Sequence, residues 1–227
     1  MSLLDARLQA VLALIPAGST LLDIGTDHCK LPAEALRSGK IASAFAADIN
    51  QGPLDAAKRQ LLSLGLAGRI PLFLSDGLKS IPLEVLEQVT TVAVAGMGGE
   101  VMENILKNAP LEPDLWVLQP MSAIYELMDY MAAEGYTVLA ARLAQDGDKF
   151  YRVFQVQKTA IPYEADYFEA LREDPLYLPY LQKEEARLQI ALKGLQSAKT
   201  PDAKRIEETE KLLESVRKSY ENRSGNL

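Results

Sequence analysis

The chain is poor in the residues that build metal and disulfide sites. Its 227 residues include one cysteine, Cys29, and one histidine, His28. One thiol cannot form an internal disulfide, and the two residues together are too few for a zinc site of the usual Cys/His-rich kind. A Ser-His-Asp nucleophilic site would have to use His28. There is no run of about 18 apolar residues, so no membrane-spanning helix is expected. The start, Met1-Ser2-Leu3-Leu4-Asp5, lacks the basic segment and long apolar block of a secretory signal, which makes the cytoplasm the expected compartment. Positive charge is also in deficit: 24 Lys+Arg face 31 Asp+Glu, a formal net charge of −7. That balance argues against a broadly basic nucleic-acid binder, although a local basic patch does not show in a total.

What is present is a globular composition, 48% hydrophobic and 24% charged. The length suits one domain of about 150 residues with a smaller appendage. Leu4, Leu8, Val11, Leu12 and Ile15 have helical spacing, and Pro16-Ala17-Gly18 ends that helix. Thr20–Gly25 reads as a short buried strand entering a glycine turn. Residues 31–38 can form a helix, with Pro32 tolerated in its first turn. Ser43–Asp48, Ile70–Leu74, Thr91–Ala95 and Leu115–Gln119 read as further strands, the last ended by Pro120. Helices are expected over 53–64, from Gly99 to about Asn108, and over 124–133. Tyr136–Leu143 and Phe150–Gln157 alternate around Gly147, as a terminal antiparallel pair would.

Strand–helix alternation from 20 to 134 implies a parallel sheet covered on both faces. With the final pair it becomes the seven-stranded α/β (Rossmann-like) sheet of class I methyltransferases. Ligands of such sheets sit beyond the carboxyl ends of the strands. Four strand ends carry Gly or Asp here: Gly25-Thr26-Asp27-His28, Asp48, Asp76-Gly77 and Gly96-Met97-Gly98-Gly99.

After about residue 160 the strand pattern stops. Leu178, Leu181, Leu188, Leu192 and Leu195 recur at threes and fours, with Glu185 in one seam position. Ile206, Thr209, Leu213, Val216 and Tyr220 repeat the pattern, and Thr200-Pro201 reads as N-cap and first helical residue. This is an antiparallel helical hairpin resembling a short coiled coil. The division expected is 1–160 and 161–227.

The first glycine turn is not a phosphate cradle. A dinucleotide site wants G-x-G-x-x-G, and Asp27 stands where the second glycine would be. S-adenosylmethionine has no phosphate and carries a sulfonium and an ammonium, which acidic residues suit. Asp48 at the next strand end can accept both ribose hydroxyls. Asp76, before Gly77, could accept a hydrogen bond from an adenine amino group; its alternative is a plain β-turn. The glycines from Gly96 lie where such enzymes place the acceptor and let a planar base approach the backbone. The Asn/Asp-Pro-Pro-aromatic motif of many amino-group methylases is absent there, against simple exocyclic nitrogen chemistry. Cys29, Trp116 and the tyrosines read as packing residues.

Asp23-Ile24-Gly25-Thr26-Asp27-His28, Leu31-Pro32, Asp76-Gly77-Leu78, Ala95-Gly96-Met97-Gly98-Gly99 and Leu118-Gln119-Pro120, in that order, resemble the bacterial TrmK family. Asp146-Gly147-Asp148-Lys149-Phe150-Tyr151 continues the resemblance with one residue inserted. The family often has an aromatic where Lys30 stands and Asn where Met121 stands. The resemblance implies methylation of N1 of adenosine 22 in tRNA with S-adenosylmethionine, without metal. It implies a cofactor site of Asp23, Gly25, Asp48, Asp76, Gly77 and Gly96, and places Asp27 and His28 as catalytic residues between cofactor and base. Asp27 would stabilise the positive charge developing on the base. Met97, Gly98 and Gln119 would face the acceptor.

Neither part of the chain is net basic; residues 163–227 hold 11 Lys+Arg and 13 Asp+Glu. Yet residues 187–205 hold five basic residues and one acidic. Lys199, Lys204 and Arg205 at the hairpin turn are therefore candidates for tRNA phosphates, the alternative being a solvated tip. No membrane partner is expected, and a monomer or weak dimer fits. The competing functions are a methyltransferase acting on another substrate and a non-catalytic nucleoside- or RNA-binding module.

Overall fold

The computed structural model describes residues 4–162 and 165–224. Met1, Ser2 and Leu3, on which part of the leader expectation rests, lie outside the described residues. The chain divides into two compact units, the first ending at Ala165 and the second beginning at Asp166.

The first unit is built on one seven-stranded sheet. Its strands are β1 (Thr20–Ile24), β2 (Ser43–Asp48), β3 (Leu72–Leu74), β4 (Thr91–Gly98), β5 (Leu115–Ser122), β6 (Tyr136–Asp146) and β7 (Lys149–Lys158). Their order across the sheet is β3-β2-β1-β4-β5-β7-β6. β1 to β5 pair in parallel, while β7 runs antiparallel to both β5 and β6. The expected methyltransferase-type sheet is therefore the one formed. Central position explains the composition: Leu21, Leu22, Val92, Ala93 and Val94 are fully buried, so β1 and β4 need apolar side chains on both faces.

Helices α1 (Ala6–Leu14), α2 (Lys30–Arg37), α3 (Gln51–Ser63), α4 (Leu83–Leu86), α5 (Gly99–Lys107) and α6 (Ile124–Ala133) connect or cover the strands. Asp5 caps α1 by accepting from the Leu8 N–H at 2.7 Å. Gln155 of β7 donates to the Leu14 carbonyl at 2.8 Å, fixing the end of α1 against the antiparallel strands. Trp116 is fully buried, and its Nε1 donates to Glu112, which also accepts from the Tyr136 hydroxyl.

Several boundaries depart from the sequence reading. β4 does not stop at Ala95 but runs to Gly98, and β5 passes through Pro120 to Ser122. Pairing between them continues as Met97↔Pro120 and Gly98↔Ser122 across two register shifts. Pro120 is tolerated because irregular pairing does not demand its N–H. β3 is shortened to three residues, and α4 was not expected.

The second unit contains a 3-10 turn (Glu169–Leu171) and the helices α7 (Tyr177–Gln196) and α8 (Ala203–Ser224), which pack together. Tyr177, Tyr180, Leu181, Glu184 and Leu188 form the buried stripe of α7. Leu178 was expected in the seam but is 40% exposed, because the stripe is set by the neighbouring tyrosines. α8 begins two residues later than Pro201; the Asp202 carboxylate accepts from the Arg205 N–H at 3.2 Å and caps it in place of Thr200. Glu184, 7% exposed overall, is held by both guanidinium arms of Arg187 at 2.9 and 2.7 Å.

Candidate active site

The site begins where β1 ends. Gly25 has φ +74, and its N–H and that of Thr26 both donate to the Ala47 carbonyl, at 2.8 and 3.0 Å. The turn is thus tied to β2 before the chain reverses. His28 and Cys29 follow with φ +58 and +55, two successive left-handed residues without glycine. Such residues cost about 1–2 kcal/mol each and gather at functional turns. Here they set the entry to α2 and leave Asp27 and His28 outward, their side chains 76% and 49% exposed, with His28 Nε2 3.3 Å from Asp27 Oδ1. Cys29 is fully buried, and its thiol is pushed up to about 12 by burial and by nearby Asp23, the Thr26 hydroxyl pulling the other way.

Asp23, one residue before the strand ends, is 6% exposed. Burial pushes its carboxyl up to about 7 from 3.8; Asp48 adds to the rise, while the Thr26 hydroxyl and the Arg7 guanidinium oppose it. Asp48 ends β2, accepts from the Asn50 N–H at 2.8 Å through Oδ1, and accepts from the Ser75 N–H at 2.9 Å through its own carbonyl. The carboxyl ends of β1 and β2 therefore hold two acids, both mostly buried.

Arg7 was not singled out from sequence, and it is central here. Its Nη1 donates to Gln119 Oε1 at 2.8 Å, and the same oxygen accepts from the Gly96 N–H at 3.0 Å. Gln119 is fully buried, and its Nε2 donates to the Pro120 carbonyl at 2.9 Å. Arg7, Asp23, Gly25, Asp27, Lys30, Asp5, Leu8, Leu31 and Ala95 line a cleft of about 200 Å³. One sequence signal pointed to Arg7. It stands three residues after Leu4 and four before Val11, an arginine on the apolar stripe of its helix.

The glycines after Ala95 form a ledge between β4 and β5. Gly96 has φ +80, and a Cβ there would lie 3.2 Å from Arg7 Nη1. A Cβ on Gly25 would meet the Met97 methyl at 2.0 Å, so Met97 closes over the first turn. Gly98 lies against the Ser122 hydroxyl and Gly99 against the Ala123 carbonyl, at 2.9 and 2.2 Å from the Cβ positions. Met121, 50% exposed, stands beside this ledge.

Asp76 and Gly77 follow β3, outside the residues lining the cleft. Asp76 Oδ2 pairs with Lys79 Nζ at 2.6 Å, and Gly77 has φ +58 with Ile105 3.3 Å from its would-be Cβ. Lys199, Lys204 and Arg205 belong to the second unit, Lys199 in the connection after α7 and the other two in the first turn of α8. Among the described residues no group of three or more His, Cys, Asp or Glu could hold a metal ion.

This donor set fits a nucleoside ligand carrying positive charge. Asp23 and Asp27 oppose a cation and the Gly25 turn brings backbone to the cleft; Asp48, which suits a diol, and Gly96, next to Ala95, stand outside the residues that line it. No phosphate cradle accompanies them.

Comparison with known proteins agrees with that chemistry. Residues 4–154 match the model of a family described as a methyltransferase domain. A tRNA (adenine(22)-N(1))-methyltransferase of Bacillus subtilis is 33% identical over 153 residues, which are 66% of this chain and 63% of the relative. The chain thus matches under two thirds of that protein's length. TrmK of M. capricolum, solved with S-adenosyl-homocysteine, superposes with a TM-score of 0.77 at 26% identity, over 95% of this chain and 96% of that one. A Streptococcus pneumoniae protein solved with S-adenosyl-L-methionine gives 0.78 at 25% identity, over 96% and 99%.

Proposed function

The chain belongs to the methyltransferase-domain family, and from that premise we propose that it works as the TrmK proteins do, transferring a methyl group from S-adenosylmethionine to N1 of adenosine 22 in tRNA. The observation that carries this reading is the cleft at the carboxyl end of β1, where buried Asp23, the Gly25 turn and exposed Asp27 meet beside the ledge from Gly96. Bound there, S-adenosylmethionine would supply a methyl carbon already activated by its sulfonium, so the chain need form no covalent intermediate.

The residues then have separable tasks. Asp23 and Gly25 hold the amino-acid end, and Asp48 holds the ribose. Asp76 and Gly77 meet the adenine; for that, Lys79 must yield the Asp76 carboxylate. Gly96 forms the floor between cofactor and base. Met97 and Gly98 form the acceptor wall, and Gln119, fully buried, supports it from behind through the Gly96 N–H. Asp27 lies where a carboxylate can offset the positive charge that appears on the base as N1 is alkylated, and His28, 3.3 Å away, holds that carboxylate in place. Positioning, rather than acid–base chemistry at a buried group, supplies most of the rate.

The α7–α8 hairpin, a coiled-coil-like pair, offers Lys199 from its connection and Lys204 and Arg205 from the start of α8 to tRNA phosphates. We read the chain as two working parts, 1–160 for catalysis and 161–227 for RNA contact, acting in the cytoplasm as a monomer or weak dimer. The test is transfer of labelled methyl from S-adenosylmethionine to unmodified tRNA carrying A22, beside the same tRNA with G22. Label on the first alone, mapped to 1-methyladenosine, is expected. Label on both sinks the site, and label on neither, with cofactor binding intact, sinks the substrate.

A further inference from the structure

Arg7 lines the cofactor cleft and also reaches the strand ends behind the ledge, with its Nη2 3.7 Å from Asp5 Oδ2. It sits in the first turns of α1 with its side chain 22% exposed. Through Nη1 it donates to Gln119, 112 residues away, and it lines the same cleft as Asp23, whose ionised form its charge favours. Gly96, whose N–H shares the Gln119 oxygen, has φ +80, and a Cβ there would come within 3.2 Å of Nη1.

The orientation of Gln119 depends on these donors. Its Oε1 accepts twice and its Nε2 donates to Pro120. If the carboxamide flipped, its NH₂ would face two N–H donors inside a fully buried site. The guanidinium supplies one of the two bonds that forbid the flip. It thereby holds the left-handed Gly96 turn, at which β4 changes register against β5.

We propose that Arg7 is a positioning residue of the transfer site, acting through the Gln119 carboxamide on the acceptor ledge and through its charge on the Asp23 carboxylate of the cofactor cleft. The proposal rests on the cofactor reading above. Its two arms separate chemically. The charge arm needs a cation only; the Gln119 arm needs a donor where Nη1 lies, one bond further from the backbone than a lysine Nζ reaches. The groups facing Asp23 are Arg7 from α1, Asp48 from β2, and Thr26 and Cys29 from the turn; Asp5, Asp27 and Lys30 line the same cleft. Of the cations among them, only Arg7 is coupled to Asp23.

Arg7→Lys and Arg7→Met distinguish the arms. The probe is S-adenosylhomocysteine, titrated by calorimetry from pH 5.5 to 9, beside kcat and KM for methyl transfer. Asp23 must be ionised to take an ammonium, so affinity rises with pH through its titration. In Arg7→Met the midpoint of that rise is expected to move up, and kcat to fall at least tenfold at saturating cofactor. Arg7→Lys is expected to keep the native midpoint and to lose kcat alone. A native midpoint in Arg7→Met overturns the charge arm, even if the variant melts earlier. Native kcat in Arg7→Lys overturns the Gln119 arm. If the native protein methylates no RNA, the substrate reading fails, while the calorimetric midpoint still decides the charge arm.

Discussion

Asp23 carries a carboxyl group into a strand end that water barely reaches, and the consequence is a conflict between stability and binding. Its folded value of about 7 lies above the 3.8 of an exposed group. The folded state therefore holds the proton more tightly than the unfolded chain. The stability this contributes is fully present below about pH 4 and is lost as pH rises through 7. Asp23→Asn removes the cost of ionisation. In urea melts without ligand it is expected to be near native at pH 4 and more stable by about 4 kcal/mol at pH 8. Calorimetry should find S-adenosylhomocysteine affinity reduced at least tenfold. A variant less stable than native at pH 8 would show that Asp23 is held by contacts other than these. Its neighbour Cys29 is displaced the other way in usefulness. Full burial and a thiol raised to about 12 make it a packing residue, so iodoacetamide at pH 8 should modify it only after unfolding, as read by intact mass.

At the scale of elements, the ledge depends on two turns whose backbones touch. Gly99 opens α5, and a Cβ there would fall 2.2 Å from the Ala123 carbonyl, an atom that cannot move without displacing the start of α6. Gly98 has ordinary extended φ and ψ, and its would-be Cβ meets a hydroxyl at 2.9 Å. Gly99→Ala is thus expected to cost about 2–3 kcal/mol and Gly98→Ala clearly less, measured as urea midpoints. A reversed order would mean that the seam between the turns relaxes more readily than its backbone contacts imply. The same ledge marks the limit of sequence reading. β1 and the body of β4 were legible because central strands, buried on both faces, appear as continuous apolar runs. The far ends of β4 and β5 were not, since Gly96 and Pro120 are local stop signals overridden by pairing across strands. The start of α8 was misplaced because Thr200 and Asp202 are both good caps, and only the folded chain selects Asp202. Asp23, Gly25, Asp48 and Gly96 were visible as Gly and Asp at strand ends. Arg7 was passed over because its partner lies 112 residues away, although its place on an apolar stripe was a sign.

For the molecule as a whole the proposed tRNA substrate sets a problem of charge, because the chain carries a net −7. Total charge governs long-range attraction, but affinity for phosphates depends on which cations remain available at short range. Several basic residues of the second unit are engaged. Arg187 is held by buried Glu184, and Lys211 and Lys218 pair with Glu207 and Glu214 at 2.8 and 2.9 Å. Lys204 is different: its side chain is 86% exposed, and its contact with Glu208 is long at 3.6 Å, a pairing weak enough to exchange for a phosphate. Lys199 and Arg205 are exposed beside it in sequence. Replacing Lys199, Lys204 and Arg205 with Ser should therefore weaken tRNA binding and lower the slope of log Kd against log salt by about 2–3, since each phosphate contact contributes just under one. Affinity for S-adenosylhomocysteine should not change, because all three lie in the second unit while the cleft is lined from the first. Filter binding of unmodified tRNA between 50 and 200 mM salt measures this. A slope equal to native would place the phosphate contacts on other cations, and Lys30 at the mouth of the cleft would be the first to replace.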